Sequence, residues 1–199
     1  MHGKVNYEGV KSNFAQIEHL YTQINQMDLE GASQEEKKAF YINAYNLIVI
    51  YQVAKYYPLK SPMNHSGFFD KVKHQVAGEV ITLNFLEIKR LLFPYRDPRI
   101  HFALACAARS CPALASFAYL PDALEQQLED RTALAVNDPT FIRIQQETIA
   151  LSKIFDWYER DFTQDGQTVF QFINRYRTHK LPQGRGLTYY DYDWQLNDL

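Results

Sequence analysis

Apolar residues recur every three or four positions over two long stretches near the start of the chain. Phe14, Ile17, Leu20, Tyr21 and Ile24, within Tyr7 to Asp28, give one helical stripe. Gly31-Ala32-Ser33 interrupts it, and Ser33 stands three residues before Glu36, the spacing of a capping box. A helix is predicted over 34–57, the strongest in the chain, stopped by Pro58. Residues 58–70, with two prolines, Asn64 and Gly67, read as a loop.

The pattern then shortens. Val72–Val76 and Val80–Thr82 flank Ala77-Gly78-Glu79 and predict a hairpin. Asn84 with Glu87 predicts a short capped helix ending before Pro94, and Ile100–Cys106 reads as a buried strand. Pro112 is expected to open a short helix, and Asp122–Val136 a second, with Leu124 and Leu128 inward. Thr140–Ile144 and Thr148–Leu151 form a strand pair about Gln146-Glu147. Ser152 is expected to cap a helix through Phe162, Val169–Arg177 forms the last helix, and Leu187–Trp194 a closing strand. Helices and strand pairs alternate without a regular βαβ rhythm. The expected fold is therefore α+β: a mostly antiparallel sheet packed against several helices, in a single domain over residues 1–199.

Composition narrows the function classes. The chain has 199 residues, enough for a substantial core, and 46% hydrophobic with 22% charged residues is ordinary for a globular protein. A net charge of −2 gives no electrostatic footprint for nucleic acid. No run approaches the ~20 apolar residues of a membrane span, and the first thirty residues lack a basic-then-apolar export signal. Two cysteines are too few for a disulfide scaffold. Aromatics reach 15%, which reads either as a Tyr/Phe-rich core or as a groove for sugars or peptides.

The candidate chemistry concentrates in Asp97–Pro112, which holds both cysteines, His101 and Ser110. If Pro112 opens a helix, Cys111 lies at its N-terminus, where the dipole favours thiolate. Cys111 is therefore the expected nucleophile and His101 the general base. Asp193 or Asn43 would orient the histidine, and N–H groups near Ser110 and Cys111 would hold an oxyanion. Arg99, Arg109, Ser110 and Asn46 are the expected substrate-binding residues. In a strand, five residues separate His101 from Cys106 by about 16 Å, which argues against pairing those two. A Cys106–Cys111 disulfide requires the intervening turn to bring the Cα atoms within about 7 Å. His101, Cys106 and Cys111 match no zinc spacing, so neither metal nor cofactor is expected.

Asn43 and Asn46 share a helical face with Leu47, Ile50 and Ala54. Amides on an apolar stripe need partners, so both are expected to be largely buried, bonded to main chain or to the Asp97–Pro112 segment. They either anchor a neighbouring segment or serve the catalytic group. Asp191 and Asp193 likewise read either as a polar strand edge or as a histidine partner.

Four stretches carry a family likeness in order: Lys38–Asn46, Asp97–Pro112, Leu151–Tyr158 and Tyr192–Asn197. Together they resemble the family catalogued as domain of unknown function number 547, found in bacteria and as a C-terminal domain in plants. The resemblance implies no established activity. It implies exported bacterial members, hence a periplasmic or secreted location if a signal has been trimmed. The lead expectation is a thiol-dependent hydrolase or acyl transferase. The alternatives are a non-catalytic module for a small molecule, glycan, peptide or partner domain, and a thiol-redox protein.

Overall fold

The computed structural model describes residues 3–199. Two N-terminal helices, α1 (Tyr7–Ser12) and α2 (Phe14–Gln26), lie along a long helix, α3 (Gln34–Tyr56). The capping box that starts α3 is formed in both directions. The Glu36 N–H donates to Ser33 Oγ at 3.1 Å, and the Ser33 N–H donates to Glu36 Oε2 at 2.7 Å. This helix runs through the middle of the larger apolar cluster, burying Ile42, Tyr45, Ile48, Val49 and Val53. Residues apolar on nearly all sides require such a position.

A two-stranded antiparallel hairpin follows, β1 (Lys73–Val76) and β2 (Glu79–Thr82). Its turn has Ala77 and Gly78 both at positive φ (49° and 78°), the twist that matches a tight hairpin. The chain continues as one helical rod. A first turn, α4 (Leu83–Phe85), passes into a π-helical stretch over Leu86–Leu92 and ends in α5 (Phe93–Tyr95).

Residues Ile100–Cys106 are not a strand. Pro98–Phe102 form a 3-10 turn, capped when Asp97 Oδ1 accepts the Arg99 N–H at 3.0 Å, and the chain runs on irregularly. So α3 packs on this turn rather than on a sheet: Ile100, Ala103 and Leu104 join its cluster. Phe102, on the other side of the turn, belongs to a second cluster with Phe155, Phe162 and Phe172.

Pro112 opens no helix either; 112–120 is irregular. Distant side chains satisfy its backbone. Asn43 takes both the N–H and the C=O of Tyr119, Gln127 takes the C=O of Ala118 and the N–H of Leu120, and Arg131 takes the C=O of Ala113.

The second half contains α6 (Leu124–Asn137), the antiparallel pair β3 (Ile142–Ile144) and β4 (Thr148–Leu151), and α7 (Ile154–Trp157). Then come α8 (Glu159–Thr163) and α9 (Val169–Tyr176). The helix expected over 152–162 is thus two short helices. The closing strand is shorter than its alternation suggests: β5 (Gly186–Tyr189) pairs with β4, and it does so in parallel. The fold is α+β, with its strands divided between the hairpin and a three-stranded mixed sheet. Among the described residues no helix is long and apolar enough to cross a membrane.

Candidate functional site

Residues beyond β5 leave the sheet and clamp the cysteine loop. Ala108 and Leu196 form an antiparallel bridge. The Arg109 N–H donates to Gln195 O at 2.8 Å, the Asn197 N–H to Ala107 O at 2.9 Å, and the Ser110 N–H to Asp193 O at 3.2 Å. From the other side, Asn46 clamps the approach to Cys106. Its amide donates to Ala103 O and accepts the Ala105 N–H, both at 2.8 Å. Ala107, between the two clamps, sits at φ 64°, a conformation costly for a residue with a Cβ and sustained by these contacts.

The loop brings its two sulfurs together. The Cys106 N–H donates to Cys111 Sγ at 2.9 Å, and Cys106 Sγ lies 3.2 Å from the Tyr192 hydroxyl. Both cysteines are free thiols. Contact with the Cys111 thiol, then the Tyr192 hydroxyl and the Ala108 N–H, favour the Cys106 thiolate by more than burial opposes it, so Cys106 is held below the usual thiol range. Burial pushes Cys111 well above that range, and the adjacent Cys106 adds to it. Burial, followed by both cysteines, likewise keeps Tyr192 protonated, so its hydroxyl is the donor. The surroundings thus favour the thiolate at Cys106 over Cys111. The sequence expectation is reversed: without a helix at Pro112, Cys111 has no dipole to lower its pKa, and burial with the adjacent Cys106 outweighs the donors that favour its thiolate.

Cys106 and Cys111 open into a cleft of about 140 Å³, walled by Tyr45, Tyr158, Tyr192, Trp157 and Trp194 and reached by Glu87 and His101. Trp157 and Trp194 stack with ring centres 6.0 Å apart, each against Tyr192 at 4.9 and 4.8 Å. The π-helical stretch presents Glu87, whose Oε1 accepts the Tyr158 hydroxyl at 2.9 Å. Tyr158 is raised well above the ordinary tyrosine range by burial and then by Glu87, and remains a donor.

His101 is buried, 4.2 Å centre-to-centre from the Tyr158 ring, and its Nε2 lies 2.8 Å from Asp161 Oδ2. An ionised carboxylate accepts only, so Nε2 carries the proton and Nδ1 is the basic nitrogen of the neutral ring. The strand-based separation of His101 from Cys106 fails because the 3-10 turn brings both to one cleft.

The remaining expected site residues lie elsewhere. Asp193 does not meet His101; it faces a different cavity, and its Oδ1 accepts the Gln195 N–H. Asn43 is half-buried and engaged with Tyr119, and Asn46 is a clamp rather than a ligand contact. Arg99 is held by Asp97, Glu125 and Glu129 away from the cleft. Arg109 donates to Gln195 Oε1, and Ser110 Oγ accepts the Asp193 N–H. The Ser110 and Cys111 N–H groups are bonded to Asp193 O and Ala108 O, so they do not form an oxyanion hole. Among the described residues no group of three or more His, Cys, Asp or Glu is arranged to hold a metal ion.

Sequence reasoning missed Glu87, Asp161, Tyr158, Tyr192, Trp157 and Trp194 as site residues. Four of them lie inside the resembling stretches Leu151–Tyr158 and Tyr192–Asn197, which was the available signal. All four stretches converge on one place: Asn46 and Tyr45, the cysteine loop, Trp157 with Tyr158, and the Tyr192–Asn197 tail.

No curated protein and no solved structure matches the chain. A family model described as protein of unknown function, DUF547, matches residues 29–134. That segment carries α3 and the whole cysteine loop, and the chain belongs to the DUF547 family.

Proposed function

We propose that the aromatic cleft is a thiol-dependent acyl-transfer or hydrolytic site with Cys106 as its nucleophile. The observation that carries this reading is the environment of the Cys106 sulfur. Three donors favour its thiolate, within a cleft it shares with the His101–Asp161 pair. In the reaction, His101 Nδ1 takes the Cys106 proton, the Cys106 sulfur attacks an acyl carbonyl carbon, and the leaving group departs with that proton from His101. Water, activated by the same imidazole, then cleaves the thioester and restores the thiolate. Asp161 orients the ring and stabilises its protonated form. Trp157, Tyr192 and Trp194 offer flat apolar faces on which a sugar or peptide side chain stacks.

The test is exposure to a panel of activated esters and thioesters, with mass spectrometry of the trapped protein. The expected result is a hydroxylamine-labile acyl group on Cys106, absent in Cys106→Ser and present in Cys111→Ser. Unchanged turnover in Cys106→Ser overturns the reading.

The contact between the two cysteines favours a second reading, thiol–disulfide exchange, in which Cys106 attacks a substrate disulfide and Cys111 resolves the mixed disulfide. That activity requires both cysteines, so Cys111→Ser separates the two chemistries. A protein that does neither yet retains ligand on the Trp157–Tyr192–Trp194 ladder is a binding module.

A further inference from the structure

On the far side of Cys111 lies a second cavity, of about 360 Å³, within the range of small-ligand sites. Its lining includes four cationic side chains, Lys4, Arg109, Arg131 and Arg143, against two carboxylates, Asp138 and Asp193. This excess of positive charge stands out in a chain of net charge −2. The two carboxylates are already engaged by neighbouring donors. Asp138 Oδ1 accepts the N–H and the hydroxyl of Thr140, both at 2.7 Å, and Asp193 Oδ1 accepts the Gln195 N–H at 2.8 Å.

Arg131 is the unusual member. It projects from α6, is 8% exposed, and among the described residues forms no ion pair. One terminal nitrogen donates to Ala113 O, while its Nε is buried without a partner. The buried Tyr119 hydroxyl lies against the same guanidinium and is the neutral group beside it. A buried cation with no carboxylate beside it is costly unless something compensates it. At the rim, Arg143 is preorganised, its guanidinium 3.7 Å above the Tyr190 ring and its Nε donating to Thr140 O at 3.1 Å. Arg109 is held by Gln195.

We propose that this cavity binds a small molecule bearing a phosphate or carboxylate group, with the Arg131 guanidinium as the principal contact and Arg109 and Arg143 at the rim. Planar guanidinium forks match the oxygen spacing of both groups, and the volume admits the anionic group with a further moiety attached. The inference is independent of the thiol chemistry, and its test reads binding rather than turnover.

Inorganic phosphate and malonate are titrated into the full chain at constant ionic strength, with sodium chloride as control, by calorimetry and thermal unfolding. One of the two should bind saturably. At a hundredfold excess over Kd it should raise the unfolding midpoint by about 5–10 °C, while chloride does not. Tighter phosphate assigns a phosphoryl ligand, and tighter malonate a carboxylate ligand. Arg131→Gln should abolish the effect, and Arg143→Gln should weaken it at least severalfold. If Arg131→Gln does not fold, the Arg109→Gln/Arg143→Gln double variant, altered only at exposed side chains, decides the matter. Responses to both anions no larger than to chloride, or unchanged affinity in a folded variant, overturn the proposal.

Discussion

Cys106 Sγ and the Tyr192 hydroxyl lie 3.2 Å apart, joining positions 86 residues distant in the chain. The contact makes the C-terminal tail part of the thiol's electrostatic environment. A hydroxyl that stays protonated can only favour the charged sulfur. Tyr192→Phe removes that donor and leaves the ring in place. Iodoacetamide should then modify Cys106 roughly threefold to tenfold more slowly at neutral pH, from loss of one charge-assisted hydrogen bond. In the unaltered protein Cys106 should react before Cys111, and a peptide map showing Cys111 first would reverse the assignment.

Asn46 holds the approach to the cysteine loop by bonding two buried backbone groups, Ala103 O and the Ala105 N–H. Asn46→Ala leaves both without partners, and urea unfolding should show a loss of about 2–4 kcal/mol. Asn46→Asp retains the acceptor but sets an oxygen against Ala103 O, so it should not restore stability. Asn43→Ala, at a half-buried site with solvent to replace its partners, should cost only about 1–2 kcal/mol.

Features fixed by local chemistry were legible in the sequence. Ser33 and Glu36 announce the start of α3, and Ala77-Gly78 announces the hairpin turn. The helical spacing of Asn43 and Asn46 revealed that both need partners on the protein. The site itself was only partly legible because its shape depends on distant partners. Ile100–Cys106 has the alternation of a strand, yet Asp97 and Pro98 start a tight turn and Asn46 supplies the backbone bonds that a neighbouring strand would have given. Cys111-Pro112 looks like a helix start, but Asn43, Gln127 and Arg131 satisfy the following backbone from outside. Likewise Tyr192 and Trp194 continue the alternation of β5, although the tail has already left the sheet for the loop.

His74 offers a pH-dependent handle separate from the site. Its Nε2 lies 2.6 Å from Gln52 Oε1 and its Nδ1 3.1 Å from the Tyr21 hydroxyl, and burial, aided by Lys55, lowers its pKa from 6.5 to about 4. The unfolded chain therefore binds a proton between those values that the folded protein refuses. Stability should be full above pH 6.5 and fall as the pH drops toward 4, by up to about 1.4 kcal/mol per unit. Urea unfolding at stepped pH should show this slope, and His74→Gln should flatten it. An unchanged slope in that variant would assign the dependence to other groups.

Asp97 acts in a lower window and by a different balance. Burial alone would raise its carboxyl, but the Arg99 and Lys38 side chains prevail and hold it below 3.8. Its Oδ2 lies 2.5 Å from Lys38 Nζ and 2.8 Å from an Arg99 terminal nitrogen, and Lys38 is 7% exposed. The stability it contributes is present above pH 3.8 and is lost as the pH falls through its lower folded value, after the His74 step is complete. At neutral pH, Asp97→Asn keeps an Oδ1 acceptor for the Arg99 N–H that caps the 3-10 turn but leaves the buried Lys38 ammonium without its carboxylate. Breaking one partner of a buried pair costs about 3–5 kcal/mol. Unfolding of Asp97→Asn should show a loss of that order, and Lys38→Met/Asp97→Asn should recover part of it by removing the stranded charge. A double variant no more stable than Asp97→Asn would show that the cost lies in the lost Arg99–Asp97 ion pair rather than in the unpaired lysine.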